Sequence, residues 1–266
     1  MKKIIIQGLA MAVLFAATLF IMNKVDWVKL FHVEKFTKSA DEKINQLFLK
    51  VFIQDNKELN DTALSSPIDS ILTRICDRNK IDRKDVQLHV IESNDVNAFA
   101  LPGGHLIVFT GLIDFVENES ELAGVLGHEV AHIELDHVMK KMGKEIGLSV
   151  LINMTAGGGN GELIKEALKK LTSTAFDREL EKDADIKSVE YLSNAQIDYK
   201  GMSAFMDRLA KDKENMADHV TILSTHPASD DRAKYISEQG KKYTYKIKPV
   251  LSDSSWKAFK SNAKEL

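Results

Sequence analysis

His128, Glu129 and His132 stand as H-E-x-x-H inside "LAGVLGHEVAHIELDH", residues 122–137. On a helix each residue turns about 100°, so the two imidazoles lie roughly 40° apart and one turn apart on a single face. Two imidazoles so placed can hold one metal ion. Glu129 lies about 100° from His128, at the edge of that face, where it reaches a water at the metal without being a ligand. The chemistry this suits is metal-assisted hydrolysis with the carboxylate as general base. The surrounding residues are Leu, Val, Ala, Ile and Gly, and burying polar groups among them is costly unless something pairs with them. One zinc ion per chain would satisfy them. A five-residue pattern also arises by chance, so helix, burial and a preceding strand must support it.

The third ligand has to come from elsewhere. The histidine that would extend the motif six residues after His132 is replaced by Val138. His137 lies about 180° round the helix from His128, so it cannot share the ion, and it reads as a structural or surface residue. "AFDRELEKDADIKSVEYL", residues 175–192, offers Glu181 and Asp185 at i and i+4. One can bind zinc while the other buttresses a ligating imidazole. Spacing alone leaves Asp177, Glu179 and Asp183 as rivals, and an acidic helix is often only a solvated face. His226, in "STHP", is a candidate donor to the oxyanion of the transition state. Two other roles are open to it: a fourth zinc ligand that holds the site inactive, or a surface residue flanking a helix. Arg232 either assists or pairs with an acidic neighbour. For substrate, "HLIVFT" (105–110) follows the Pro102-Gly103-Gly104 turn and could offer a strand edge to an extended peptide. Asn97, Ala98 and Phe99 would line the entrance, with Gly103 and Gly104 beside them. His89 and His105 have no partner pattern and read as structural.

The elements that must position these residues are mostly helical. Residues 24–64 form a linker-helix region, with Ile44, Leu47, Phe48, Val51 and Phe52 at helical spacing. Ser66 and Pro67 suit the start of a second helix. "DVQLHVIE" and "HLIVFT" read as strands. A long helix over about 119–145 carries the motif, and Gly124, Gly127 and Ala131 on its flank invite a close neighbour. A glycine-rich break at 156–161 is a candidate lid, and further helices follow at 162–172, 176–193, 200–213 and from about Ser229. "KKYTYKIKPV" reads as a late strand, within a C-terminal strand and helix extension over 241–266. The class is α+β, with a small sheet.

Composition narrows the function. The chain has 266 residues, a net charge of -3 and 44% hydrophobic residues, enough for one sizeable core. No basic excess exists to neutralise phosphates, which argues against nucleic acid as a partner. The single cysteine, Cys76, excludes an intrachain disulfide and a cysteine-based zinc site. Lys2 and Lys3 precede a mostly apolar run from Ile4 to Met22, so residues 1–23 read as a signal sequence or an uncleaved membrane anchor. The expected location is the cell envelope, membrane-anchored or secreted to the extracytoplasmic side.

"NAFALPGGHLIVFTGLI", "ELAGVLGHEVAHIELDH", "RELEKDAD" and "STHPASDDRA" occur in this order. In them the chain resembles the zinc metallopeptidase family that includes the CAAX prenyl protease, HtpX and the BepA-like periplasmic proteases. The resemblance covers roughly residues 65–240. It implies a zincin-like (minigluzincin) catalytic domain with a long buried H-E-x-x-H helix. It also implies that Glu181 joins His128 and His132 as the third zinc ligand, with Asp185 and Arg178 behind them; Glu129 as general base and His226 as catalytic donor complete the expected site. Asp177 stands where many members have Ser. The implied function is an endopeptidase acting on unfolded or membrane-associated polypeptides. A zinc-stabilised scaffold that binds without cutting, or a helical interaction domain without metal, are the rivals.

Overall fold

The computed structural model of the chain describes residues 33–154, 161–212, 220–227 and 230–265. The expected N-terminal anchor and residues 156–160 of the glycine-rich break lie outside them. The chain divides into compact units Met1–Glu42 and Lys43–Leu266. Of the first, the description covers only the start of helix α1 (Val33–Asp55). No helix among the described residues is long and apolar enough to cross a membrane.

In the second unit α1 leads to α2 (Thr62–Asn79), then to β1 (Gln87–Ile91), β2 (Ala98–Leu101) and β3 (His105–Phe109). Helices α3 (Thr110–Phe115), α4 (Glu119–Glu134), α5 (His137–Glu145) and α6 (Leu148–Asn153) follow, then α7 (Gly161–Ser173) and α8 (Arg178–Asn194). The last are α9 (Lys200–Asp212), α10 (Ile222–Thr225), α11 (Asp230–Gly240) and α12 (Asp253–Lys264). Helix α2 starts before Ser66: the Asp61 side chain caps it by accepting from the Ala63 N–H at 2.8 Å, which leaves Pro67 inside the helix.

The sheet has the order β1-β3-β2, with β1 parallel and β2 antiparallel to β3. Side chains alternate across β3. Leu106 and Val108 face the core built with α2 and α4, while Ile107 and Phe109 face a second core with α1, α5 and α7. Both faces are therefore covered, which explains an unbroken apolar strand. β3 is the central strand and has no free edge, so the expectation that "HLIVFT" receives a peptide is corrected. β2, a four-residue strand with no alternating pattern to announce it, is an edge. The expected late strand is absent: residues 241–250 are irregular, and Lys248 N–H bonds Gln196 O at 2.9 Å instead.

Helix α4 is buried at every position from Glu121 to His132. Asn118 caps it by accepting from the Glu121 N–H at 3.0 Å, and Glu121 reaches back to the Glu117 N–H at 2.9 Å. This is close to a capping box. A Cβ on Gly124 would lie 2.7 Å from Met202 N of α9, and one on Gly127 would lie 2.9 Å from Ser188 Oγ of α8. Those two glycines set the close approach of α8 and α9. The expected single helix over 119–145 breaks after Leu135, where Asp136 takes a left-handed φ of 60° and α5 begins.

Candidate metal centre

Helix α4 presents His128 and His132, α8 presents Glu181, and the residue after α10 is His226. One donor atom from each lies within 4.8 Å of every other. All four side chains are buried. His128 Nε2 lies 3.0 Å from His132 Nε2 and 3.2 Å from His226 Nδ1. Glu181 Oε1 lies 3.2 Å from His132 Nε2 and 2.8 Å from His226 Nδ1. Ligands about 2.0–2.1 Å from a tetrahedral zinc are roughly 3.3 Å apart, and the four spacings, 2.8–3.2 Å, lie just below that value. The donor set of imidazoles and one carboxylate is the set zinc takes.

Electrostatics agree with that fit. Burial opposes charging His128, yet Glu181 and Asp185 outweigh it and hold the imidazole up to about 10. Burial also opposes ionisation of Glu181, but His226 and His128 pull its carboxyl well below the usual range. Burial, with His128 and His226 close by, pushes His132 well below its ordinary value. Without a divalent ion, the buried Glu181 and Asp185 share one fixed cation, Arg232, and a protonated imidazole supplies the second counter-charge. A divalent ion meets the same need and leaves the ring nitrogens as ligands.

Behind the donors stands a supporting layer. Asp185 Oδ1 lies 2.9 Å from His128 Nδ1. Arg232 donates to both Asp185 oxygens at 2.8 Å from Nε and Nη2, and Tyr235 Oη donates to Oδ2. Burial would raise the Asp185 pKa, but His128 and Arg232 bring it down to about 2. Arg232 Nη1 also lies 3.1 Å from Glu181 Oε2. The guanidinium expected here from the sequence was that of Arg178; it is instead exposed at the start of α8, with no hydrogen bond to either carboxylate. Asp177, Glu179 and Asp183, the spacing rivals of Glu181, are all exposed.

Two further residues stand beside the cluster: Phe176, which the sequence did not single out, and His137, read there as structural or surface. His137 is buried, and its Nδ1 lies 3.2 Å from His132 Nδ1. A surface role is thereby corrected; the burial follows from the α4–α5 break, which no periodicity signals. Phe176 lays its ring over His132, centroids 4.1 Å apart, and stacks on His226 at 5.5 Å. The buried Lys141 sits 4.1 Å above the same ring.

Glu129 is fully buried beside the cluster. Its Oε2 accepts from the Ala100 N–H at 3.0 Å, while Oε1 has no hydrogen-bond partner. Oε1 faces His226 Nε2, likewise without one, at 3.4 Å. Burial raises the Glu129 pKa, against the pull of His226 and His128. Phe109 N–H bonds Asn97 O, so in the antiparallel register Ala98 and Ala100 turn their backbone groups to the outer edge of β2. Asn97, Ala98 and Phe99 are buried as whole residues; what this segment turns to the outer edge of the sheet is backbone. Gly103 and Gly104, with φ of 85° and 75°, serve the β2–β3 turn: a Cβ on Gly104 would meet Asp85 O at 1.9 Å. That packing accounts for both glycines without a role in binding. His89 bonds Glu58 at 2.6 Å and His105 at 3.0 Å, a chain separate from the cluster.

Residues 63–239 match the model of peptidase family M48. Metalloprotease LoiP of Escherichia coli is 32% identical over 167 residues, 60% of this chain and 65% of that protein. The mitochondrial metalloendopeptidase OMA1 of Bos taurus is 32% identical over 164 residues, covering 56% and 31%. A putative beta-barrel assembly-enhancing protease of Vibrio cholerae is 25% identical over 217 residues, covering 77% and 45%. The chain thus spans less than two thirds of the length of each of these relatives.

Proposed function

The chain belongs to peptidase family M48, and from that membership we propose that it is a zinc-dependent endopeptidase acting on unfolded or membrane-associated polypeptides. The observation that carries the reading is the convergence of His128, His132, Glu181 and His226 donor atoms beside a buried, half-partnered Glu129. His128, His132 and Glu181 would hold the zinc. When bound, the ion supplies Lewis acidity that polarises the scissile carbonyl and acidifies water. Glu129 Oε1 takes the proton of the attacking water and delivers it to the leaving amine. The Ala100 N–H fixes the other oxygen and so aims Oε1. The outer edge of β2 pairs with the substrate backbone through the Ala98 N–H and the Ala98 and Ala100 carbonyls, the Ala100 N–H being taken by Glu129. Asp185, clamped by Arg232 and Tyr235, orients His128. The envelope is the proposed place of action, in protein quality control. Support comes from the apolar run at residues 4–22 and from a relative named for beta-barrel assembly.

The test is direct. Purified full chain should carry one zinc per chain and cleave an unfolded protein; a chelator should stop cleavage and added zinc restore it. Protein that holds zinc and binds the substrate without cutting it would leave the scaffold reading in place.

A second reading of His226 has its own support. In this arrangement Nδ1 sits among the donors, 2.8 Å from Glu181 Oε1. A fourth protein ligand closes the position that hydrolysis needs open. His226 would then be a gate that withdraws before turnover. His226→Ala separates the roles: faster cleavage with zinc retained marks a gate, and a fall of about 10²–10³ marks an oxyanion donor.

His137 carries a further expectation. A zinc held by His132 Nε2 leaves a proton on His132 Nδ1, and His137 Nδ1 is placed to accept it. His137→Phe should weaken zinc affinity by about 10–100-fold, measured by competition with a chromogenic chelator. His137→Gln, which keeps an acceptor, should recover part of the loss. Equal affinities in all three proteins would remove the role.

A further inference from the structure

Beside the donor cluster lies a cavity of about 680 Å³, to which the peptidase reading gives no occupant. It opens next to the chemistry, because Glu181, Phe176, Pro227 and Arg232 are part of its lining. On α8, Arg178, Glu181 and Lys182 follow at i, i+3 and i+4 and share one face. Two cations therefore flank the carboxylate that belongs to the cluster. Lys234 and Tyr235 of α11 face them across the space.

The charges of this lining do not cancel. Asp177 is taken by Lys144, whose Nζ is 2.5 Å away and outside the lining. Glu181 is held by the imidazoles and Arg232. Arg232 is spent on Asp185. Glu238 is the remaining acidic group. Arg178 and Lys234 have no ion-pair partner among the described side chains, and Lys182 has only the Tyr235 ring, 5.8 Å from its Nζ. Three cations on two walls thus face one carboxylate. A concave site with a surplus of one sign of charge concentrates the opposite sign.

We propose that this cavity is a substrate subsite for a carboxylate, with Arg178, Lys182 and Lys234 as its specificity determinants. The proposal rests on the peptidase reading and adds the substrate class to it. The carboxylate has two sources, an Asp or Glu side chain near the scissile bond or the substrate's own C-terminus. The three cations are exposed, so the selectivity they give is moderate, about tenfold, and is screened by salt. The aromatic rings of Phe176 and Tyr235 give the rest of the residue an apolar wall.

Matched peptides test this on the zinc-loaded full chain. One series replaces each Glu around the cleavage site by Gln; another compares free C-terminal acids with amides. Cleavage is read as kcat/KM. Binding of the same labelled peptides to zinc-loaded Glu129→Gln protein is read by fluorescence anisotropy. Wild type should favour the acid over its neutral isostere about tenfold in both readouts. The ratio should fall towards one in the Arg178→Gln/Lys182→Gln/Lys234→Gln triple variant and in high salt. The three single variants, each lowering the ratio in part, keep the test valid if the triple does not fold. The series that loses the preference identifies the source of the carboxylate. Equal treatment of acid and isostere by wild type, or an unchanged ratio in the variants, overturns the subsite and leaves the peptidase reading intact. If zinc-loaded wild type and zinc-loaded His226→Ala both cut no peptide, the peptidase reading falls and the subsite falls with it.

Discussion

Glu129→Gln should retain zinc and lose cleavage by about 10²–10⁴-fold. The substitution is isosteric, and the amide oxygen can still accept from the Ala100 N–H that now holds Oε2 at 3.0 Å. What disappears is the basic Oε1, which has no hydrogen-bond partner and so is free to take a proton. Metal content should not move, because Glu129 is outside the four-residue donor set. The measurement pairs zinc analysis of the purified variant with its rate on an unfolded protein. Activity within a few-fold of wild type would mean that the proton is taken elsewhere, and the proposed mechanism would be wrong. Loss of zinc in the same variant would mean that this carboxylate is a ligand rather than a base.

Glu181→Ala should have a comparably large effect by a different route: the metal itself is lost. Glu181 supplies the single carboxylate of the donor set, and it is the anionic partner of His226 and Arg232 as well. Removing it leaves buried cationic donors facing one another. Affinity should fall by more than the 10–100-fold typical of an outer partner. Proteolysis should disappear at ordinary zinc concentrations, and added zinc should no longer raise the melting temperature as a ligand of the native state does. Chelator competition and thermal unfolding with and without zinc measure both. Glu179→Ala is the control. Glu179 is exposed and lies about 200° round α8 from Glu181, so that variant should behave as wild type. Full zinc occupancy in Glu181→Ala would remove α8 from the metal centre.

These two carboxylates differ in how far the chain alone revealed them. Glu129 follows from helical geometry, since its place between two ligating imidazoles is fixed by a turn of about 100° per residue. Glu181 does not, because Asp177, Glu179, Glu181 and Asp183 are equivalent to any argument from spacing. The family resemblance selects Glu181, and burial agrees: of the four it alone is buried. Arg178 shows where such transfer stops. Its match to the family motif suggested a place behind the ligands, but the supporting guanidinium comes from Arg232, 47 positions from Asp185 along the chain.

By itself the sequence determined what local periodicity can encode: a mostly helical chain with a small sheet, an apolar helix placing His128 and His132 on one face, and glycines that let some neighbouring element close on it. The tertiary structure alone decided matters that depend on partners distant in the chain. β3 is central because β1 and β2 pair with its two edges; β2, too short to show alternation, has an outer edge that no strand pairs, and Glu129 meets it at Ala100. "KKYTYKIKPV" has strand-like residues, yet the outer edge of β1 is already bridged by Glu58 and the segment bonds elsewhere. His137 meets His132 only because Asp136 turns the backbone between two helices. A hydrogen bond or an open strand edge is a relation between segments, and no window on one segment contains it.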